Sequence, residues 1–185
     1  MTSRYDDAMA RRLFRFTDPE RFVAGTIGVP GDRTFYLQAR QGAAVVSLVV
    51  EKVQVAALAA RMADLIAAFE VDPWVVASRG DDGPLDEPLV EAFRVGVLAL
   101  AWDPAAERLV VEAQPVSEEG EYVAASDEDP DAPDLFRVSL PVGPAQAFVR
   151  RATELVTAGR PTCPFCGQPI DDRGHLCPRS NSHLN

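Results

Sequence analysis

The stretch from Ala43 to Phe69, A-A-V-V-S-L-V-V-E-K-V-Q-V-A-A-L-A-A-R-M-A-D-L-I-A-A-F, changes its hydrophobic period part-way along, and that change decides the fold. Its opening residues, Ala43–Val50, are small or β-branched almost throughout and predict a strand. Beyond them Leu58, Met62, Leu65, Ile66 and Phe69 fall at i, i+4, i+7, i+8 and i+11, one apolar stripe along a helix. The flanking alanines are small enough to let that helix lie close on a sheet. A strand feeding a sheet-covering helix is the building unit of an α+β domain. The stripe reads as core rather than as a cofactor box, because burial alone demands this spacing.

Working outward, Leu13–Phe16 reads as a short strand, Asp18–Arg21 as a turn, and Phe22–Gly28 and Arg33–Arg40 as two further strands around Gly31-Asp32. In the last of these, Phe35, Leu37 and Ala39 alternate with Tyr36, Gln38 and Arg40, so the two sets face opposite sides. Trp74–Ser78 is a further strand candidate. Phe93–Trp102, a turn at Asp103–Glu107, and Arg108–Gln114 form a hairpin, followed by Leu135–Leu140 and a helix from Pro144 with Phe148, Ala152, Leu155 and Val156 inward. Gly159 and Pro161 stop it.

The halves echo each other. Phe22-x-x-Gly25-x-Ile27 matches Phe93-x-x-Gly96-x-Leu98, and Val46-Ser47-Leu48-x-Val50-x-x-x-Gln54 matches Val138-Ser139-Leu140-x-Val142-x-x-x-Gln146. Such self-similarity marks an internal repeat. The expectation is an α+β fold of two duplicated β-β-β-(β)-α units, residues 1–72 and 73–160, related by a pseudo-twofold, with antiparallel sheet and two packing helices. A small zinc knuckle, residues 161–185, is appended.

That tail holds all three cysteines and both histidines of the chain. Cys163-Pro-Phe-Cys166-Gly places two thiolates one tight turn apart, the spacing of a zinc knuckle. His175-Leu-Cys177 adds an i, i+2 pair, which points to one side of an extended segment. Cys163, Cys166, His175 and Cys177 make a closed Cys3His shell for a structural Zn²⁺. His183 is the alternative fourth ligand, disfavoured because a longer loop costs more ordering entropy. Arg160, Arg173 and Arg179 stand near enough in sequence to offset the excess negative charge. A redox pair fits less well, since the C-x-x-C lacks a preceding strand and a following helix.

C-P-F-C-G-x-P-x-D-x-x-G-H-x-C-P-R-x-N resembles the C-terminal signature of an actinobacterial family of conserved hypothetical repeat proteins, domain of unknown function 3090. The resemblance extends to the F-x-x-x-D-P-E-R-F opening at Phe14–Phe22. Members of that family are encoded near a histidine-phosphatase-like protein, which implies a shared pathway but assigns the chain no role. The Asn181-Ser182-His183 ending departs from the family's Asn-Gly-aromatic ending.

Composition narrows the function classes. The chain of 185 residues is 47% apolar and carries a formal charge of −10. Ser117–Asp134 contains eight acids and no base; taking these from the 28 acids leaves 20 against 18 basic residues, so the main body is nearly neutral. The proline- and glycine-broken acidic run reads as a solvated, partly disordered insertion. No apolar run is long enough to span a bilayer and no apolar leader opens the sequence, so a cytoplasmic protein is expected. The phosphate-loop and dinucleotide glycine patterns are missing, and both histidines sit in the tail, away from any triad in the main body. Asp81, Asp82, Asp86 and Glu87 read as a solvated acidic loop. The leading expectation is a non-enzymatic, zinc-stapled scaffold or adaptor for a protein partner. The alternatives are a single-stranded nucleic-acid binder, for which Arg11-Arg12-Leu13-Phe14-Arg15-Phe16 interleaves bases with aromatics, and a metal-dependent enzyme using carboxylates.

Overall fold

A computed structural model of the chain describes residues 11–29, 32–69, 81–117, 121–124, 126–158, 163–167, 170 and 177. Seven strands and two helices follow in the order β1 (Leu13–Phe16), β2 (Arg21–Val29), β3 (Asp32–Gln41), β4 (Ala44–Val50), α1 (Lys52–Ala68), β5 (Glu91–Asp103), β6 (Arg108–Pro115), β7 (Leu135–Pro141) and α2 (Val142–Thr157). All seven strands join one sheet in the spatial order β1-β7-β6-β5-β4-β3-β2. Trp74–Ser78 and the 72/73 unit boundary lie outside the described residues.

The sheet is mixed, not antiparallel as the sequence reading expects. β2-β3-β4 and β5-β6-β7 are antiparallel meanders, but β4 pairs β5 in parallel and β1 pairs β7 in parallel. The cause is the helix. A three-strand meander ends pointing as it began, and α1 carries the chain back to the starting end, so β5 enters alongside β4 in the same direction. The β4–β5 seam is short, confined to Ser47↔Glu91, Leu48↔Phe93 and Val49↔Arg94 with a register shift.

The sheet must also curl. Its outermost strands are β1 and β2, and a flat sheet would hold these about 29 Å apart at about 4.8 Å per strand. Only Thr17–Glu20 connects them, a link that reaches about 18 Å at most. Aromatic rings fill the resulting fold of the sheet. Phe16 of β1 lies 5.6 Å from Phe136 of β7, Phe22 of β2 lies 6.3 Å from the same ring, and Phe22 stacks on Phe148 of α2 at 4.7 Å. The motif Phe14–Phe22 is thus the closure of the sheet.

Both helices cover the inner face, where one core joins Leu37, Leu48, Leu109, Val111, Phe136, Val138 and Leu140 with Val55, Leu58, Met62, Phe148 and Ala152. Gln54 fixes the start of α1. Its Oε1 accepts the Glu51 N–H at 2.8 Å while its Nε2 donates to the carbonyls of Val95 and Gly96 on β5. The stripe read from the sequence is core over Leu58 and Met62, but Phe69 stacks on Trp102 at 4.7 Å and stays partly exposed. α2 begins at Val142, two residues before Pro144, which is tolerated because the first four helical N–H groups have no intrahelical partner. On the outer face Val23, Tyr36 and Val49 are covered by Leu85 and Leu89 of the connection into β5.

Candidate metal centre and two arginine networks

The sulfurs of Cys163, Cys166 and Cys177 all lie within 4.8 Å of one another. Cys163 and Cys177 are buried and Cys166 is half-buried. The turn from Cys163 to Gly167 is closed by a 2.9 Å bond from the Gly167 N–H to the Cys163 carbonyl, with Gly167 at φ +73°, a conformation glycine adopts without strain. The Cys163 and Cys177 sulfurs stand 3.7 Å apart. Thiolates bound at about 2.3 Å to a tetrahedral ion would stand about 3.8 Å apart, so the spacing fits a shared metal ion. These two cysteines stand fourteen positions apart in sequence, so their proximity is not the product of one local turn. The turn presents Phe165, 63% exposed. His175 and His183, the two candidates for the remaining ligand, lie outside the described residues, as do Arg160, Arg173 and Arg179.

Two charged networks lie elsewhere, and sequence reasoning missed both. The first surrounds Arg21, which opens β2 and is only 8% exposed. Its guanidinium bonds both carboxylate oxygens of Asp81, donates to the carbonyls of Gly83 (3.1 Å) and Pro84 (2.7 Å), and lies 3.1 Å from Asp86. Arg151 of α2 reaches the same place, donating to the carbonyls of Ala24 (2.7 Å), Asp81 and Gly83 (2.8 Å). Gln38, 1% exposed, bonds Ser47 and both the N–H and C=O of Asp86. Asp81 and Asp86, read from the sequence as solvated acids, therefore fasten residues 81–86 over the outer face of β2 and β3. The Arg21 partnership holds the Asp81 carboxyl below its ordinary range, and Asp81 in turn raises Arg21. Burial lowers Arg151. A groove of about 280 Å³ runs beside Arg151 between this segment and the end of β2.

The second network joins the acidic insertion to β1, β6 and β7. Arg15, Arg137 and Glu112 are register partners across these three strands and form a row on the outer face. Two arginines side by side repel unless an anion lies between them. Asp127 supplies it, bonding Arg15 and, at 2.8 Å, Arg137. Tyr122 donates to Glu112, Gln114 bonds the N–H and C=O of Val123, and Arg11 donates to the carbonyls of Ser126, Asp129 and Pro133. Arg12 holds Asp134. The described part of the insertion is therefore a strap fastened at many points, not a freely solvated loop. Burial and the Glu112 bond push the Tyr122 hydroxyl up to about 12, and Arg137 holds Asp127 below its ordinary range. Arg–acid pairing across 60 residues, as in Arg21–Asp81, or 122, as in Arg12–Asp134, leaves no signal in a sequence window, which is why composition alone described these segments as solvated.

A membrane-spanning reading finds no support in the helices: among the described residues none is long and apolar enough to cross a bilayer. A family profile described as a protein of unknown function (DUF3090) matches residues 14–177, which takes in both the sheet-closing motif and all three cysteines. No curated protein and no solved structure matches the chain.

Proposed function

The chain belongs to this family, and from that premise we propose that it is a zinc-stapled, non-enzymatic scaffold or adaptor whose curled sheet presents surfaces to a protein partner. The observation that carries the reading is the convergence of three cysteine sulfurs in a tail that follows α2. A thiolate-rich set closed by an imidazole selects zinc among common divalent ions, and a site filled by protein ligands leaves no position for a reacting water. Cys163, Cys166, Cys177 and His175, with His183 as the alternative, hold the ion in this reading. When bound, zinc would supply folding free energy to a segment too short to form a core of its own. The paired charged groups of the body favour a scaffold too: Arg21, Asp81, Asp127 and Arg137 are each engaged in fastening a segment to the sheet.

The repeat belongs to the same proposal. Each unit is a three-strand meander followed by a helix, and each helix reaches over to the first strand of the other unit. Gln54 of α1 donates to Val95 of β5, and Arg151 of α2 donates to Ala24 of β2, the residue that matches Val95 in the aligned halves. Gly25 and Gly96, also matched, are both sites where a Cβ would come within 2.6 Å of a neighbour. The matched pair Gln54 and Gln146 differ in role, since Gln146 lines a groove between the helices. Residues 1–72 and 73–160 are then two diverged copies around a pseudo-twofold along the strands. The partner that the family context suggests is a histidine-phosphatase-like protein, and a cytoplasmic setting is part of the same proposal.

The test is chelation of the purified chain, with circular dichroism, thermal unfolding and calorimetric titration of that partner. Metal loss is expected to loosen the tail and lower the melting temperature while the far-ultraviolet signal of the body persists, and the partner is expected to bind the loaded chain. Metal-dependent turnover of a phosphate or ester substrate would contradict the scaffold reading.

A further inference from the structure

The Arg15–Arg137 row is an anion cradle filled from within. Register places the two guanidinium groups on adjacent strands of one face, and Asp127 bridges them. Arg11 adds a third cation directed at the same strap. The strap itself is poorly suited to staying there. Its described residues carry six acids (Glu121, Asp127, Glu128, Asp129, Asp131 and Asp134), only two of which are paired with arginine. Like charges held this close repel one another. Its attachment is by hydrogen bonds and part-exposed ion pairs, while Tyr122 and Val123 remain more than a third exposed, so little apolar burial holds it. Segments fastened in this way occupy the low-stability end of a fold and loosen as salt rises.

We propose that the strap is an internal competitor for an arginine face formed by Arg11, Arg15 and Arg137, and that this face takes the phosphate backbone of single-stranded nucleic acid when the strap lifts. Phosphate oxygens would replace the Asp127 carboxylate between the two paired guanidinium groups, the geometry arginine serves best. Phe14, with the Arg12 guanidinium 5.5 Å over its ring, belongs to the opposite, core-packed face of β1, so the contact on the arginine face would be made through phosphates and not through stacked bases. The acidic isoelectric point near 4.6 is not an objection to this site, because much of the negative charge is the competitor itself.

The test is fluorescence anisotropy with a labelled oligothymidylate spanning one site of about 4–16 nucleotides. The full-length wild type is compared with Asp127→Asn and with Asp127→Asn/Arg15→Gln/Arg137→Gln. Asp127→Asn is expected to bind about tenfold more tightly than wild type, with a log–log salt slope of roughly −2 for three arginine–phosphate contacts. The triple variant should lose that gain. Unchanged affinity in Asp127→Asn, or a gain that survives loss of the two arginines, overturns the proposal. So does preferential binding of a polyglutamate peptide, which would make the face a protein-docking site. An independent measurement uses wild type alone: saturating oligothymidylate should speed amide hydrogen exchange over residues 121–134, and unchanged exchange under saturation overturns the competitor model.

Discussion

Arg21 has few ways to be replaced. It is a nearly buried cation serving Asp81, Asp86, Gln38 and two backbone carbonyls at once, so truncation leaves several polar groups unpaired. Arg21→Ala is expected to lower stability by about 2–4 kcal/mol, read from urea denaturation at neutral pH. Asp81 gives the pH signature. Its carboxyl is held below the ordinary range in the folded state by Arg21, so its contribution is complete above the unfolded value of about 4 and fades as pH falls further. The stability gap between wild type and Asp81→Asn should therefore be full at neutral pH and shrink on acidification below about 4; a gap that does not change with pH would contradict the pairing. Tyr122 runs the other way. Its hydroxyl, pushed up to about 12 by burial and Glu112, favours the folded state below about 10, and that contribution is lost as pH climbs toward 12. Ultraviolet titration of phenolate should show a late step that loses the amplitude of one tyrosine in Tyr122→Phe.

At the scale of elements, the alternating and helical periods marked most strands and both helices, because burial on one face leaves a local signal. Phe35, Leu37 and Ala39 do face the core, and Tyr36 and Gln38 do face away. What the local signal omitted was the cover on the far side: Gln38 and Ser47 are polar yet almost fully buried beneath residues 81–89. Glycines show a similar division. Gly96 sits where β5 shifts register against β6, and a Cβ there would stand 2.6 Å from the Val116 Cα and 2.8 Å from the Pro115 carbonyl oxygen. Backbone cannot step aside, so Gly96→Ala should cost about 1–3 kcal/mol in denaturant titration. Gly25→Ala meets only the Leu85 side chain and should cost less. Phe148→Ala removes the ring that joins α2 to β2 and should cost about 3–5 kcal/mol, with both helices losing protection together in hydrogen exchange.

The described residues form a mixed seven-strand sheet curled until its edge strands are four residues apart, with two helices inside the curl and two acid-bearing segments fastened outside it by arginines. Class and helix number were legible in the sequence, but sheet direction was not, because it depends on where α1 delivers the chain rather than on any strand's own residues. The cysteine cluster was the most legible feature, since thiolate spacing is a local property: Cys163 and Cys166 declare themselves in one turn, and Cys177 lies close enough to share an ion with them. The central claim is that these cysteines hold one structural zinc. Elemental analysis of protein purified without added metal tests it most directly, on wild type and on Cys163→Ser, His175→Ala and His183→Ala. One zinc per chain, lost in Cys163→Ser and His175→Ala and kept in His183→Ala, is the result expected. Wild-type protein that carries no zinc, or zinc that survives loss of Cys163, would contradict it.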